Sequence, residues 1–187
     1  ITTPEVDEAS SALQGQAGAV LLERIDAPGG EQFGVFRRSN ESRDDVLAGM
    51  ASLDPPCRLA NGVELLAYQF GGELRPGGTI RFSLAWWLYA SSPPPPDADY
   101  HAFAHVVDAD GQRWGQHDLA GFPTASWRAG DLVLTRFQIE VGAEAPPGTY
   151  WVNLGMYSYP DIAAVPVLDA AGNPAGDFAV VGPVTLR

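Results

Sequence analysis

Thr79-Ile80-Arg81-Phe82-Ser83-Leu84-Ala85-Trp86-Trp87-Leu88-Tyr89 places Ile80, Phe82, Leu84, Trp86 and Leu88 on one side. Thr79, Arg81, Ser83, Ala85, Trp87 and Tyr89 take the other side. A side-chain repeat of two is that of a β-strand. The segment 149–157 reads the same way, with Tyr150, Val152, Leu154 and Met156 set against Thr149, Trp151, Asn153, Gly155 and Tyr157. A strand with one apolar face must bury it against a second layer, so several such strands predict two antiparallel sheets in a β-sandwich. The expected class is therefore mainly β, immunoglobulin-like or jelly-roll-like, with a short N-terminal α/β extension.

Working outward, further strands are predicted near 63–70, 99–107, 112–118, 131–141, 163–168 and 177–186, separated by Gly, Pro and Asp turns. Tyr150, after Pro146-Pro147-Gly148, opens its strand as a tyrosine corner would. Residues 1–56 read as the extension and 57–187 as the sandwich domain. Thr3-Pro4-Glu5 is a helix start, with a hydroxyl cap, proline at the first helical position and an acid in the first turn. Two short strands, 19–25 and 32–37, follow around Ala27-Pro28-Gly29-Gly30, and Asp54-Pro55-Pro56 punctuates the end. A short helix is expected around 44–50. Pro93-Pro94-Pro95-Pro96 has no N–H to pair and reads as a stiff connector.

The chain has 187 residues, enough for one compact domain, and 45% hydrophobic residues, enough for a core. Acidic residues outnumber basic ones by 23 to 11, all of the latter arginine, for a net charge of −12. Clustered cations are what neutralise phosphates, so the balance argues against a nucleic-acid partner and against anionic membranes. A single cysteine, Cys57, excludes an internal disulfide. The sequence begins at Ile1, not Met, and reads as a piece of something larger.

The three histidines, His101, His105 and His117, fall close together. On a strand, His101 and His105 share a face but stand about 13 Å apart, too far for one ion with bonds near 2 Å. Hairpin register decides where His117 goes. A two-residue loop puts His105 opposite Gln116 and Phe103 opposite Asp118, whereas a three-residue loop with a bulge puts His117 opposite Phe103. A structural polar cluster of His105 with Gln116 or Asp118 is the expected outcome, with no metal. Asp108 and Asp110 belong to a turn, where aspartate bonds its own backbone. The sequence carries no Gly-x-Ser-x-Gly, phosphate loop or zinc pattern, and Ser126 beside Trp127 has no nearby base.

Tryptophan and tyrosine are the stronger signal. Alternation puts Trp87 and Tyr89, and Trp151 and Tyr157, on outer sheet faces, where flat rings match the apolar faces of pyranoses. These four are the candidate carbohydrate-binding residues. Cover by Val20, Leu22, Phe33, Val35 and Phe36 of the extension is the competing expectation.

Several motifs together carry a family resemblance. They are Asn61-Gly62-Val63-Glu64-Leu65-Leu66-Ala67-Tyr68, Arg75-Pro76-Gly77-Gly78, Leu84-Ala85-Trp86-Trp87, the run 99–108, Gln116-His117-Asp118, Trp127-Arg128-Ala129-Gly130 and Pro147-Gly148-Thr149-Tyr150. Over 59–187 the chain resembles the extracytoplasmic β-sandwich at the C-terminus of polytopic bacterial glycosyltransferases similar to dolichyl-phosphate-mannose–protein mannosyltransferases. The resemblance implies an accessory module without catalytic residues or cofactor, positioning a glycan or acceptor. It also implies a membrane-spanning part of the same parent protein as partner, and a place outside the cytoplasmic membrane. The alternatives are a carbohydrate-binding module of a secreted protein and, at low weight, a metal-dependent β-sandwich enzyme using His101, His105 and His117.

Overall fold

The computed structural model of the chain describes residues 19–26, 32–38, 47–71, 75–89, 99–120 and 128–187. The strands are β1 (Ala19–Asp26), β2 (Gln32–Arg38), β3 (Ala51–Leu59), β4 (Val63–Gly71), β5 (Thr79–Leu88), β6 (Asp99–Val107) and β7 (Arg113–Ala120). They continue with β8 (Leu132–Glu140), β9 (Gly148–Tyr159), β10 (Ala163–Ala164), β11 (Val167–Leu168), β12 (Pro174–Gly176) and β13 (Ala179–Leu186). An eight-stranded sheet runs β1-β2-β8-β5-β4-β3-β11-β12, and a five-stranded sheet runs β10-β9-β6-β7 with β13 also on β9. All pairings are antiparallel. The molecule is the expected two-sheet β-sandwich.

Alternation decides which residues enter the space between the sheets. β5 contributes Ile80, Phe82, Leu84, Trp86 and Leu88; β8 contributes Val133, Phe137 and Ile139; β9 contributes Tyr150, Val152, Leu154 and Met156. Phe82 and Phe137 face each other across β5 and β8 and stack at 5.0 Å between centroids, with Phe70 beside Phe82 at 5.8 Å. Two buried polar groups have partners: Trp86 Nε1 donates to Thr135 Oγ1 at 2.9 Å in the core, and the exposed Arg58 donates through Nε to the buried Glu64 carboxylate at 2.7 Å. The tyrosine corner is present, with the Tyr150 hydroxyl donating to the Pro146 carbonyl at 2.5 Å.

β3 corrects the reading of Asp54-Pro55-Pro56 as an end point. The strand continues through the prolines because its pairing with β4 breaks there, holding at Ala51–Ser52 and resuming at Cys57–Arg58. Proline has no N–H for a ladder, so a register break is where a strand can carry two of them. The boundary expected at 56/57 thus falls inside β3, and β1 and β2 extend the eight-stranded sheet through β8. The strand expected over 163–168 is two: β10 lies in one sheet and β11 in the other, with buried Val165 between them. Residues 47–50 form a turn. The helix expected from Thr3, the turn 27–30, the proline run 93–96 and Ser126–Trp127 lie outside the described residues.

Two aspartate loops share one construction. Asp108 Oδ1 accepts from the N–H of Asp110 and Gln112, and Asp169 Oδ1 accepts from the N–H of Ala171 and Asn173. Gly111 and Gly172 take positive φ, at 79° and 85°, a conformation costly for any side chain. Trp114 Nε1 donates to the second Asp108 oxygen at 2.7 Å. These bonds favour the charged carboxylate: the Trp114 N–H holds Asp108 below its ordinary 3.8, and the Asn173 amide does the same for Asp169.

A depressed carboxylate pKa adds stability above the unfolded value that is lost as pH falls through the folded one. Acid titration of stability should therefore show a fall below about pH 4 that Asp108→Asn and Asp169→Asn reduce. A wild-type midpoint flat down to pH 2 would contradict this. Phe137→Ala should cost about 3–5 kcal/mol in urea unfolding, and Tyr150→Phe about 1 kcal/mol.

Candidate functional site

β6 reads Asp99-Tyr100-His101-Ala102-Phe103-Ala104-His105-Val106-Val107. Its inward positions carry Tyr100, half-buried against the core, and the buried Ala102, Ala104 and Val106, while His101, Phe103 and His105 face outward. On the neighbouring β9, His101 lies opposite Tyr157, Phe103 opposite Gly155, His105 opposite Asn153 and Val107 opposite Trp151. On β7, Phe103 lies opposite Asp118 and His105 opposite Gln116. The outer face of the five-stranded sheet therefore gathers rings from two adjacent strands.

Their contacts form a continuous row. The His101 ring stacks on Tyr159 at 4.5 Å with 6° between planes and lies 5.4 Å from Tyr157. Phe103 stacks with Tyr157 at 6.3 Å and touches His105 at 4.9 Å. Gly155 makes the row possible: a Cβ there would meet the Phe103 ring at 2.6 Å and the Asp177 carbonyl at 3.0 Å. The Tyr157 hydroxyl lies 3.4 Å from His101 Nδ1. Tyr159 is 52% exposed, and His101, Phe103, Trp151 and Tyr157 are partly exposed.

Both signs of charge occur on this face, with Arg113 and Asp118 each close to His105. Burial first, then the nearby Arg113, lowers the His105 pKa below its ordinary 6.5, while Asp118 pulls it up. His105 Nε2 and Asp118 Oδ1 stand 3.7 Å apart, a charge contact longer than a hydrogen bond. With its pKa lowered, the imidazole is uncharged at neutral pH. Burial and the Asp118 carboxylate push the Tyr157 phenol up, so it stays a neutral hydrogen-bonding hydroxyl.

The structure divides the four expected carbohydrate-binding residues. Trp151 and Tyr157 lie on this face. Trp87 lies on the outer face of the other sheet, half-buried against Leu66, Ala67, Ala85 and Leu132, with Leu47 and Met50 in the same cluster. Tyr89 sits at the end of β5 with the Arg58 guanidinium 5.6 Å from its ring centre. The residues expected to cover these rings, Val20, Leu22, Phe33, Val35 and Phe36, lie on β1 and β2, which continue the eight-stranded sheet beyond β8. His105 and Asp118 do meet, and His105 faces Gln116. The hairpin combines both expected geometries: residues 109–111 form the loop, and a bulge at Trp114 restores the His105–Gln116 register. His117 faces the other way, its Nδ1 donating to the Gln138 carbonyl at 2.9 Å and its ring edge-on to Phe137. The three histidines thus do not converge, and no group of three or more metal-ligating side chains occurs among the described residues. Burial raises the Cys57 thiol, which disfavours the reactive thiolate.

Sequence reasoning missed His101, Phe103 and Tyr159 as members of the ring row. The available signal was the His-Ala-Phe-Ala-His alternation, in which alanine takes the positions that a core-facing strand normally fills with large residues.

No protein-family model matches the chain, and no curated protein matches it by sequence. Among solved structures it is similar to the C-terminal domain of Wzt, at 12% identity and TM-score 0.49, covering 79% of this chain and 87% of that one. It is also similar to part of a mutant (D270A) β-glucosidase from Listeria innocua in complex with laminaribiose, at 12% identity and TM-score 0.39, covering 67% of this chain and 16% of that one.

The electrostatics predict opposite responses of His105. Asp118→Asn removes the charge that raises its pKa and should lower it further; Arg113→Gln removes a lowering charge and should raise it. Imidazole carbon-proton NMR over pH 4–8 reads both, and unchanged titrations would refute the arrangement.

Proposed function

We propose that this chain is a non-catalytic glycan-recognition domain whose binding surface is the outer face of the five-stranded sheet. The observation that carries the reading is the row of rings on the outer face of β6, where His101, Phe103 and His105 stand outside while Ala102 and Ala104 take the middle of its core face. Solvent-facing rings add nothing to the packing between the sheets, while their flat faces suit the apolar faces of sugar rings. Tyr157, Asn153, Gln116 and Asp118 supply hydroxyl, amide and carboxylate partners for sugar hydroxyls around them.

In this reading the chain belongs to a membrane glycosyltransferase-like protein and lies outside the cytoplasmic membrane, where it holds a glycan or acceptor for chemistry performed elsewhere in the polypeptide. That context rests on the sequence resemblance over 59–187. A carbohydrate-binding module of a secreted protein would use the same face.

Screening against a panel of neutral oligosaccharides should give binding that Phe103→Ala and Tyr157→Ala each weaken by roughly tenfold or more. Trp87→Ala should lower the unfolding midpoint but leave sugar affinity unchanged. Sugar binding lost in Trp87→Ala and intact in Tyr157→Ala would move the site to the other sheet; no binding to any member of the panel would refute the proposal.

A further inference from the structure

The large apolar side chains that stand exposed among the described residues, Tyr159, Ile162, Phe178 and Val180, all lie on β9, on the turn after it, or on β13 and its approach. Phe178 and Val180 mark the free edge of the five-stranded sheet. β13 pairs with β9 along one side, and among the described residues no strand pairs with its other side. From Phe178 to Leu186 the chain carries no charged side chain.

An open and uncharged edge is a template for another strand, and natural sheets blunt such edges with charges, bulges or short strands. The other edges of this sandwich are blunted. β1 carries Glu23, Arg24 and Asp26 and a register shift between Leu21 and Glu23, and β12 and β10 have only three and two residues. β7 is closed against β8 and the segment after it: the Gly142 N–H donates to the Trp114 carbonyl at 2.7 Å, and His117 Nδ1 donates to the Gln138 carbonyl at 2.9 Å. β13 has only the bulge at Gly182-Pro183, which removes one N–H and leaves the ladder regular from Ala179 to Val181.

We propose that this edge pairs with the same edge of a second copy of the chain, joining two five-stranded sheets into one. Charge selects the occupant. Asp177 precedes the uncharged run and Arg187 follows it; both are exposed, and neither has an ion-pair partner among the described residues. An antiparallel two-fold arrangement brings the Asp177 end of each strand to the Arg187 end of the other. Two attractive pairs then sit at the contact of a domain whose net charge of −12 otherwise repels its copy. The bulge sets the register. Phe178, Val180 and Thr185 point outward, whereas Ala179, Val181, Val184 and Leu186 point toward the core. Matching like faces puts Phe178 opposite Thr185 and Ala179 opposite Val184 of the second copy, with Arg187 beside that copy's Asp177. The two-fold axis is perpendicular to the joined sheet, so both ring rows face the same way; the pairing itself does not depend on their glycan-binding role.

Sedimentation of the full chain over a concentration series tests this. One strand per copy makes a small interface, so the expected result is a reversible equilibrium between the 19.9 kDa chain and a species of twice that mass. Val180→Lys charges the edge at a side chain that is 53% exposed, and should abolish the dimer while leaving the unfolding midpoint in place. Arg187→Glu should weaken dimerisation about tenfold, and adding Asp177→Arg should restore it. A single monomeric species up to about 1 mM, a dimer that survives Val180→Lys, or a charge-swapped double variant no better than Arg187→Glu alone would overturn the proposal. So would a dimer lost in Phe103→Ala and kept in Val180→Lys, which would place the contact on the ring row.

Discussion

The outer surface of the five-stranded sheet depends on how little β6 places in the core. Ala102 and Ala104 fill only a thin layer, so the space between the sheets is occupied by Phe82, Leu84, Trp86 and Phe137 from one side and Tyr150 and Leu154 from the other. Close packing requires large side chains to meet small ones across an interface, and the alanines are the small partners. The same alternation that puts methyl groups inward puts imidazole and phenyl rings outward. One period-two pattern therefore sets both the packing of the sandwich and the row of rings on its outer face.

Topology fixes the arrangement. β6 and β7 form a hairpin in one sheet, while the flanking β5 and β8 pair with each other in the other sheet. Shifting β6 by one residue would turn His101, Phe103 and His105 into the core and Tyr100, Ala102, Ala104 and Val106 out of it, so its register is strongly specified. Gly155 adds a second lock, since its missing Cβ is the space under Phe103.

Much of this was legible in the sequence, for a physical reason. Where one face of a strand is buried, residue polarity reports position directly, which is why 79–89, 99–107 and 149–157 could be read. β3 was not legible because proline marks the end of regular pairing in most contexts, and only the register against β4 reveals a strand that pairs on either side of its prolines. The sheet on which each tryptophan lies was also hidden. Trp87 and Trp151 both point outward, but alternation says nothing about which of two layers a strand joins. The hairpin register depended on a bulge at Trp114, a single inserted residue that composition does not announce.

The two outer faces differ in chemistry because they differ in what surrounds them. The ring row stands among Asp118, Asn153 and uncharged His105, whereas the outer face of β4, β5 and β8 carries arginine, amide and hydroxyl groups. Both lie on strands held by antiparallel ladders over a buried core, so their side chains are presented without a loop having to order. In the proposed role, a shallow ring face would enclose a sugar less completely than a cleft does, and the affinity of each contact would be correspondingly modest. Covalent attachment to a larger protein that handles the same glycan would raise the effective concentration at the second site without any new contact. A weak platform is then sufficient, and fast release becomes an advantage when the bound chain must move on.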